Sequence, residues 1–387
     1  MKIVYNGSIF FKQKFGGISR YYYNLAKNLI KKDINFKIVS SLYKSNFLKN
    51  LDNNFKKGIY LKRYPDLKII EKIFQFSNDL CIDKIKPNIV HDTYYQERFN
   101  NFKSLKVITV YDLIHEKFSN LYSGNNKKKF LDKYDLIICI SETTKNDLMN
   151  FYGISEKKIR VIYLSGDHIL SISPKNNTSM KIEKPFLLYV GSREKYKNFT
   201  TLLKAYGNSK RIRKDFNLIC FGGGKFSSYE RSFLTDLKIE NDVIQIDGGD
   251  EVLNYLYTNC RIFVSTSIYE GFGIPILEAM NCNCPIILSD CETHKEVAKT
   301  NTIYFSKENF DDLMNVLFYC PFNFNIKSSN LIICTFGRMF HFIKDKKINL
   351  DKISLFAIDE ADDLLNSDYI KEIKELIKNL KDNTQIL

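Results

Sequence analysis

The feature that most constrains this chain is a repeated alternation of short apolar, β-rich runs with helix-length segments. Lys2–Tyr5 opens the pattern, and Gly16-Gly17 precedes a stretch where Ile18, Tyr22, Leu25, Ala26 and Leu29 recur at helical spacing up to Lys32. Further β-type runs follow at Phe36–Ser40, Ile89–His91, Val107–Tyr111, Leu136–Ile140 and Val161–Leu164. A polar stretch from Gly166 to Lys184 reads as a linker, and the alternation then restarts at Phe186–Val190. It continues through a helix near Phe199–Ala205 and runs at Asn217–Phe221, Val243–Ile246, Ile262–Ser265 and Ile286–Ser289. Strands alternating with helices imply a parallel sheet covered on both faces. The expectation is an α/β chain with two Rossmann-like, doubly wound halves, 1–165 and 166–320, followed by a different segment, 321–387. Such sheets bind ligands outside the carboxyl ends of their strands, and two of them facing each other make a cleft for two substrates.

Composition narrows the class. With 387 residues, 44% of them hydrophobic, the chain can bury two cores. No apolar run approaches the roughly 18–20 residues needed to span a bilayer. The opening MKIVYNGSIF lacks the pattern of a secretory leader, so a cytoplasmic location is expected. Nine cysteines without a CxxC pair read as buried, reduced thiols, with neither a zinc site nor a disulfide framework. The net charge of +14 is diffuse, and Lys127–Lys129 is its tightest cluster. That cluster reads either as a solvated loop or as a contact for anionic lipid headgroups or a polyphosphate, and charge alone does not choose.

The strongest chemical signal is EGFGIPILE, Glu270–Glu278. It follows the strand-like run Ile262–Ser265, so Glu270 falls on a loop at a strand's carboxyl end. Gly271 and Gly273 permit a tight turn with close backbone approach, and Pro275 suits the first turn of a helix. Exposed amides at that helix start favour a diphosphate. Acidic residues near helix starts can also be mere dipole partners. The GFG-x-P core and the trailing EAM favour the site reading.

These residues resemble the signature of family 4 retaining glycosyltransferases of GT-B fold, in the stretch IYEGFGIPILEAM. FGGISRY, YDLIHE, CISETTKNDL, GSREKYKNF and CFGGGKF agree with that family in order and spacing, so the resemblance covers residues 1 to about 318. It is nearest to bacterial mannosyl- or rhamnosyl-type transferases that build surface polysaccharides. It implies hexosyl transfer with retention from a nucleotide sugar, GDP- or dTDP-linked, to a glycan or lipid-linked acceptor. No fixed metal or other cofactor is implied, and peripheral contact with an anionic membrane is. Arg193 and Lys197 match the family's phosphate-binding pair, suited to the charge left on a departing diphosphate. By the same resemblance Glu278 bonds the ribose and Glu270 faces the donor sugar, within a loop that includes Gly271, Phe272 and Gly273. Gly16 and Gly17 match a loop lying against the donor phosphates, although an ordinary helix-start turn explains them equally. Gly222–Gly224 read as a pocket wall or a plain strand-end turn. The family's TVHD pattern is TVYD here, with Tyr111 in place of His, which leaves Asp112 and His115 as candidates for the sugar-contacting group.

The segment LIICTFGRMFHFIKDKKINLDKISLFAIDEADDLL resembles a different family, the first motor domain of DEAD-box RNA helicases. By that resemblance Arg338 is an RNA contact, Asp359 orients magnesium and Glu360 positions water. Phe336 replaces the motif's proline and no G-x-x-x-x-G-K-[ST] loop occurs, so neither ATP hydrolysis nor RNA partnership is expected. The junction also replaces the helices that close a GT-B fold, so some surface of the second half should lie exposed unless the tail covers it. The alternatives to a transferase are a helicase-derived ATP- or RNA-binding fragment and a catalytically inactive fusion.

Overall fold

In the computed structural model, the described residues are 1–65, 67–95, 103–120, 127–174, 182 and 184–319, with isolated positions beyond 354. The first sheet contains β1 (Ile3–Asn6), β2 (Phe36–Tyr43), β3 (Lys56–Tyr60), β4 (Ile89–Asp92), β5 (Leu105–Val110), β6 (Leu136–Cys139) and β7 (Ile159–Val161). Their order is β3-β2-β1-β4-β5-β6-β7, and every pairing is parallel. The second sheet contains β8 (Phe186–Val190), β9 (Asn217–Phe221), β10 (Val243–Ile246), β11 (Ile262–Ser265), β12 (Ile286–Ser289) and β13 (Ile303–Phe305). It repeats the same winding, β10-β9-β8-β11-β12-β13, again parallel throughout. Each sheet therefore reverses direction beside its first strand, between β1 and β4 and between β8 and β11. That reversal opens a crevice at the carboxyl edge.

Burial explains which runs became strands. The inner strands of the second sheet, FLLYV, IFVS and IILS, are almost wholly buried because helices cover both faces. Helix Phe199–Asn208 brings Leu202, Leu203 and Tyr206 onto one face, where helix Phe310–Tyr319 adds Leu313 and Leu317. Burying each of those two leucines contributes about 2 kcal/mol. In the first half, helix Gly17–Lys31 directs Tyr22 and Ala26 into a cluster with Tyr5, Phe36 and Ile38.

Three expectations change. The strand predicted at Val161–Leu164 lies at Ile159–Val161, because Ile159 is the buried residue while Ile162 and Tyr163 emerge into solvent. Strand β3 carries no sequence signal, since KKGIY is a largely exposed edge strand. The stretch read as a linker is docked at its start. Asp167–Ser171 forms a 3-10 turn whose Ile169 is fully buried in the second half, and Asn254 Nδ2 donates to the Ile169 carbonyl at 3.1 Å.

Among the described residues, no helix is long and apolar enough to cross a membrane.

Candidate functional site

The crevice of the second sheet is built from the loops that follow β8 and β11. Lys197, from the first, places Nζ 2.5 Å from Glu270 Oε1, from the second. The backbones are tied as well: Thr266 Oγ1 donates to the Lys197 carbonyl at 2.9 Å, and the Ile268 amide donates to the Tyr196 carbonyl at 2.8 Å. Ser267 Oγ also donates to Glu270 Oε1, at 2.7 Å. Burial pushes the Glu270 carboxyl up, but the Lys197 charge, its hydrogen bond and the Ser267 hydroxyl outweigh it, so the net shift is downward. Glu270 is thus an anion held ready in a largely dry place. Behind it lies His294, fully buried against Ser265 and Ser289, which burial holds in the neutral form despite the nearby carboxylate. Sequence reasoning did not single out His294, because a lone buried His in a helix carries no spacing signal.

Arg193 shares a loop with Lys197 but points elsewhere. Its Nε donates to Glu230 Oε1 at 2.5 Å and its Nη1 to the Gly222 carbonyl at 2.9 Å. Nη2 reaches the carbonyls of Gly223, Gly224 and Lys225. Gly222, Gly223 and Gly224 all have positive φ, 79°, 72° and 72°, which turns their carbonyls inward toward the guanidinium. Arg193 therefore clamps the glycine loop, and an incoming phosphate would have to share it with these carbonyls.

Glu278 belongs to a second polar group. It is buried in helix Ile274–Asn281, with Oε2 accepting from Tyr257 Oη at 3.0 Å and Oε1 lying 3.0 Å from His168 Nε2. Arg20 Nη1 is 3.3 Å from the same His168 nitrogen, and Arg20 Nη2 pairs with Asp250 at 2.8 Å. Arg20 lies one turn into the helix whose N-cap is Gly16 and whose first residue is Gly17, with no side chain capping its amides. The glycine pair and Glu278 are thereby joined through Arg20 and His168. His168 was missed because it sits in the polar stretch taken for a linker.

The two halves meet at the signature loop itself. A Cβ on Gly271 would lie 1.9 Å from the Tyr111 carbonyl oxygen and 3.1 Å from Asp112 Cβ, so only glycine permits this approach. The Gly271 carbonyl accepts from Ser141 Oγ at 2.7 Å. Phe272 packs in the first half's cluster with Tyr5, Ile9, Tyr22 and Tyr111. Gly273, at φ 87°, turns the chain into the following helix. Glu296, from the second half, accepts from the amides of Glu142 at 2.6 Å and Thr143 at 2.9 Å, which start helix Glu142–Tyr152 of the first half. A carboxylate there complements the helix dipole.

Asp112 faces this junction, half-buried. Desolvation raises its carboxyl, against the Ile114 amide and the charges of Lys127 and His115. His115 lies exposed on the short helix Ile114–Lys117. His91 is buried at the end of β4, with Nε2 2.9 Å from Thr109 Oγ1, and burial lowers it to about 4. Among the described residues no group of three or more His, Cys, Asp or Glu side chains could hold a metal ion. Arg338, Asp359 and Glu360 lie outside the described residues.

Two parallel Rossmann-type sheets meeting at a charged crevice define the GT-B class, and comparison with known proteins agrees. Over 82% of this chain and 89% of the other, the fold matches the apo form of the lipopolysaccharide outer core galactosyltransferase WaaB, with TM-score 0.57 and 19% identity. The family described as Glycosyltransferase Family 4 matches residues 15–166, and Glycosyl transferases group 1 matches residues 174–315. The chain belongs to the family 4 glycosyltransferases of GT-B fold. Curated relatives include the O-antigen chain mannosyltransferase RfbU of Salmonella typhimurium, 26% identical over 53% of this chain and 57% of that protein. A second is an N-acetylgalactosaminyltransferase of Campylobacter jejuni that acts on a diphospho-undecaprenol-linked acceptor, 27% identical over 51% of this chain and 54% of that protein. The chain spans just over half the length of these curated relatives. The DEAD/DEAH box helicase family matches residues 299–387. The first part of that match is nonetheless built into the second sheet, as β13 pairs with β12 and helix Phe310–Tyr319 fills its core.

Proposed function

We propose that this chain transfers a hexosyl group, mannose-like, from a GDP- or dTDP-linked sugar to a glycan or lipid-linked acceptor with retention, in surface polysaccharide synthesis. The observation that carries the reading is the Lys197–Glu270 pair at the β8/β11 reversal, brought against Asp112 of the other half by the Gly271 contact. Departure of a nucleoside diphosphate leaves negative charge that Lys197 is placed to receive, with Arg193 beside it on the same loop. The Glu270 carboxylate then faces the positive charge that develops on the anomeric carbon as the bond breaks. Glu278, held by His168 and Tyr257, presents its remaining acceptor capacity to ribose hydroxyls. The names of the relatives support the polysaccharide setting and the lipid-linked acceptor. The donor is a substrate, and the reading needs no cofactor.

An inactive fusion is the competing reading, favoured by the exposed Ile303 and Phe318 where the chain leaves the second sheet. Thermal unfolding with GDP, dTDP and UDP separates the two. A transferase is stabilised by at least one diphosphate, by about 2.7 kcal/mol at a hundredfold excess over Kd, and Glu278→Ala removes the effect. No stabilisation by any of them defeats the donor site, and stabilisation by ATP with magnesium alone would favour the helicase-derived reading.

A further inference from the structure

Glu270 is held from two directions. Lys197 and Ser267 Oγ hold its carboxylate, and a second set of groups pins the backbone that carries it. Thr293 Oγ1 donates to the Glu270 carbonyl at 2.6 Å. The peptide unit between Ser267 and Ile268 is fixed at both ends. Its N–H donates to the Tyr196 carbonyl at 2.8 Å, and its carbonyl accepts from Ser289 Oγ. Ser289 Oγ also lies 2.9 Å from His294 Nδ1, and both residues are fully buried.

Counting protons along this line fixes the state of the imidazole. A serine hydroxyl has one proton to give. Ser289 gives it to the Ser267 carbonyl, so toward His294 its oxygen can only accept, and Nδ1 must carry the ring proton. The Ser289 carbonyl, 3.0 Å from Nδ1, accepts from the same N–H. Burial keeps the ring neutral, so Nε2 is an acceptor, and Ser265 Oγ lies 3.3 Å from it as the donor. One tautomer therefore satisfies every partner. A buried polar line is costly unless each member is paired, and an apolar side chain at 294 would fill the same space with nothing to satisfy. What the imidazole adds over such a side chain is a donor aimed at Ser289.

We infer that His294 is a positioning residue for glycosyl transfer, acting through Ser289 and the Ser267–Ile268 peptide on the Glu270 carboxylate. It touches no substrate. Without its N–H, Ser289 Oγ is free to turn away from the Ser267 carbonyl, and the peptide unit is then held by its N–H alone. A tilt of that unit withdraws Ser267 Oγ from Glu270 Oε1 and leaves the carboxylate to pivot on Lys197. A displacement of about 1 Å at a reacting centre costs on the order of a hundredfold in rate. The effect on turnover rests on the proposed placement of Glu270 at the donor sugar, whereas the relay from His294 to the loop does not.

The test compares three variants of the full chain. His294→Leu fills the site without a donor, and His294→Asn keeps an N–H near the place of Nδ1. Ser289→Ala cuts the same line one residue further on, and serves if the leucine variant does not fold. Hydrogen exchange without ligand reads the loop itself. The Ile268 amide should exchange about tenfold faster in His294→Leu and Ser289→Ala, with distant segments unchanged, and His294→Asn should stay near the wild type. Release of nucleoside diphosphate from GDP-mannose, dTDP-rhamnose and UDP-glucose reads the chemistry. There kcat should fall about tenfold to a hundredfold in His294→Leu with KM for the donor unchanged, and His294→Asn should restore most of it. Unchanged exchange in both His294→Leu and Ser289→Ala overturns the inference. So does an asparagine variant no better than leucine, or a raised KM with kcat intact. A wild type that releases diphosphate from none of the three donors counts against the proposed transfer, and the exchange comparison then decides the relay by itself.

Discussion

The two halves share a winding order but hold opposite chemistry at their reversal points. Around β1 and β4 the crevice is packed with Tyr5, Tyr22, His91 and Tyr111, and its ionisable groups are driven toward neutrality by burial. Around β8 and β11 it holds Lys197 against Glu270, where opposite charge overcomes the same desolvation. Topology therefore places a crevice, and the loops after the strands decide whether packed rings or a charged pair line it. In this chain the first half's packed rings meet the loop that carries Glu270 through Gly271 and Phe272.

The largest break in that comparison should come from Lys197→Ala. We expect turnover with any accepted donor to fall by about a hundredfold to a thousandfold, the scale of losing one charge-stabilising group. Stability should fall too, by roughly 3 kcal/mol, because Glu270 is left buried without its partner. The pair Lys197→Met with Glu270→Gln should recover the melting temperature but not the activity, which a denaturation curve and a transfer assay report separately.

A pH titration tests the packed rings. Burial lowers the folded-state pKa of His91 to about 4, below its unfolded value of 6.5. Between those values the unfolded chain binds more protons, so stability rises with pH across the window. The contribution is fully present above 6.5 and is lost as pH falls toward 4, on the order of 3 kcal/mol. His294, lowered in the same direction, acts with the same sign. Melting temperatures measured from pH 7 to 4.5 should drop, and His91→Gln should flatten the curve.

The smallest effect belongs to the junction. Glu296→Gln keeps its shape but loses the charge that caps helix Glu142–Tyr152 across the two halves, a loss of about 1 kcal/mol. Solution scattering should show a slightly larger radius of gyration, with donor stabilisation retained. An unchanged radius would mean that the other contacts, Gly271 and Phe272 on the first half and Arg20 on Asp250, hold the halves together without it.

Much of the frame was legible beforehand. Phe186–Val190, Asn217–Phe221, Ile262–Ser265 and Ile286–Ser289 are strands with the bounds read from the sequence, because a strand buried on both faces is written as a continuous apolar run, and the edge strand Val243–Ile246, half-buried, was legible from its β-branched residues. Strand β3 was not legible, since an exposed edge strand needs no such run, and neither was the three-residue β13. The loop positions of Lys197 and Glu270 and the helical position of Glu278 followed from the motif, because spacing along one loop and one helix turn is a local property. Their partners did not. Tyr257 and His168 meet Glu278, and beyond them Arg20 meets His168, across chain separations that no periodicity encodes.

What the sequence by itself determined is therefore the layered fold of the two halves and the loop that carries Glu270, both written in short-range patterns of burial and backbone freedom. Only the tertiary structure decided that Arg193 clamps the Gly222–Gly224 loop while Lys197 meets Glu270. It alone brought Gly271 against Tyr111 and left Ile69, Ile73 and Leu80 facing outward. The physical reason is that direction and exposure are set by what packs alongside a residue. Two cations four residues apart, or two apolar faces of one helix, look alike until their neighbours are in place.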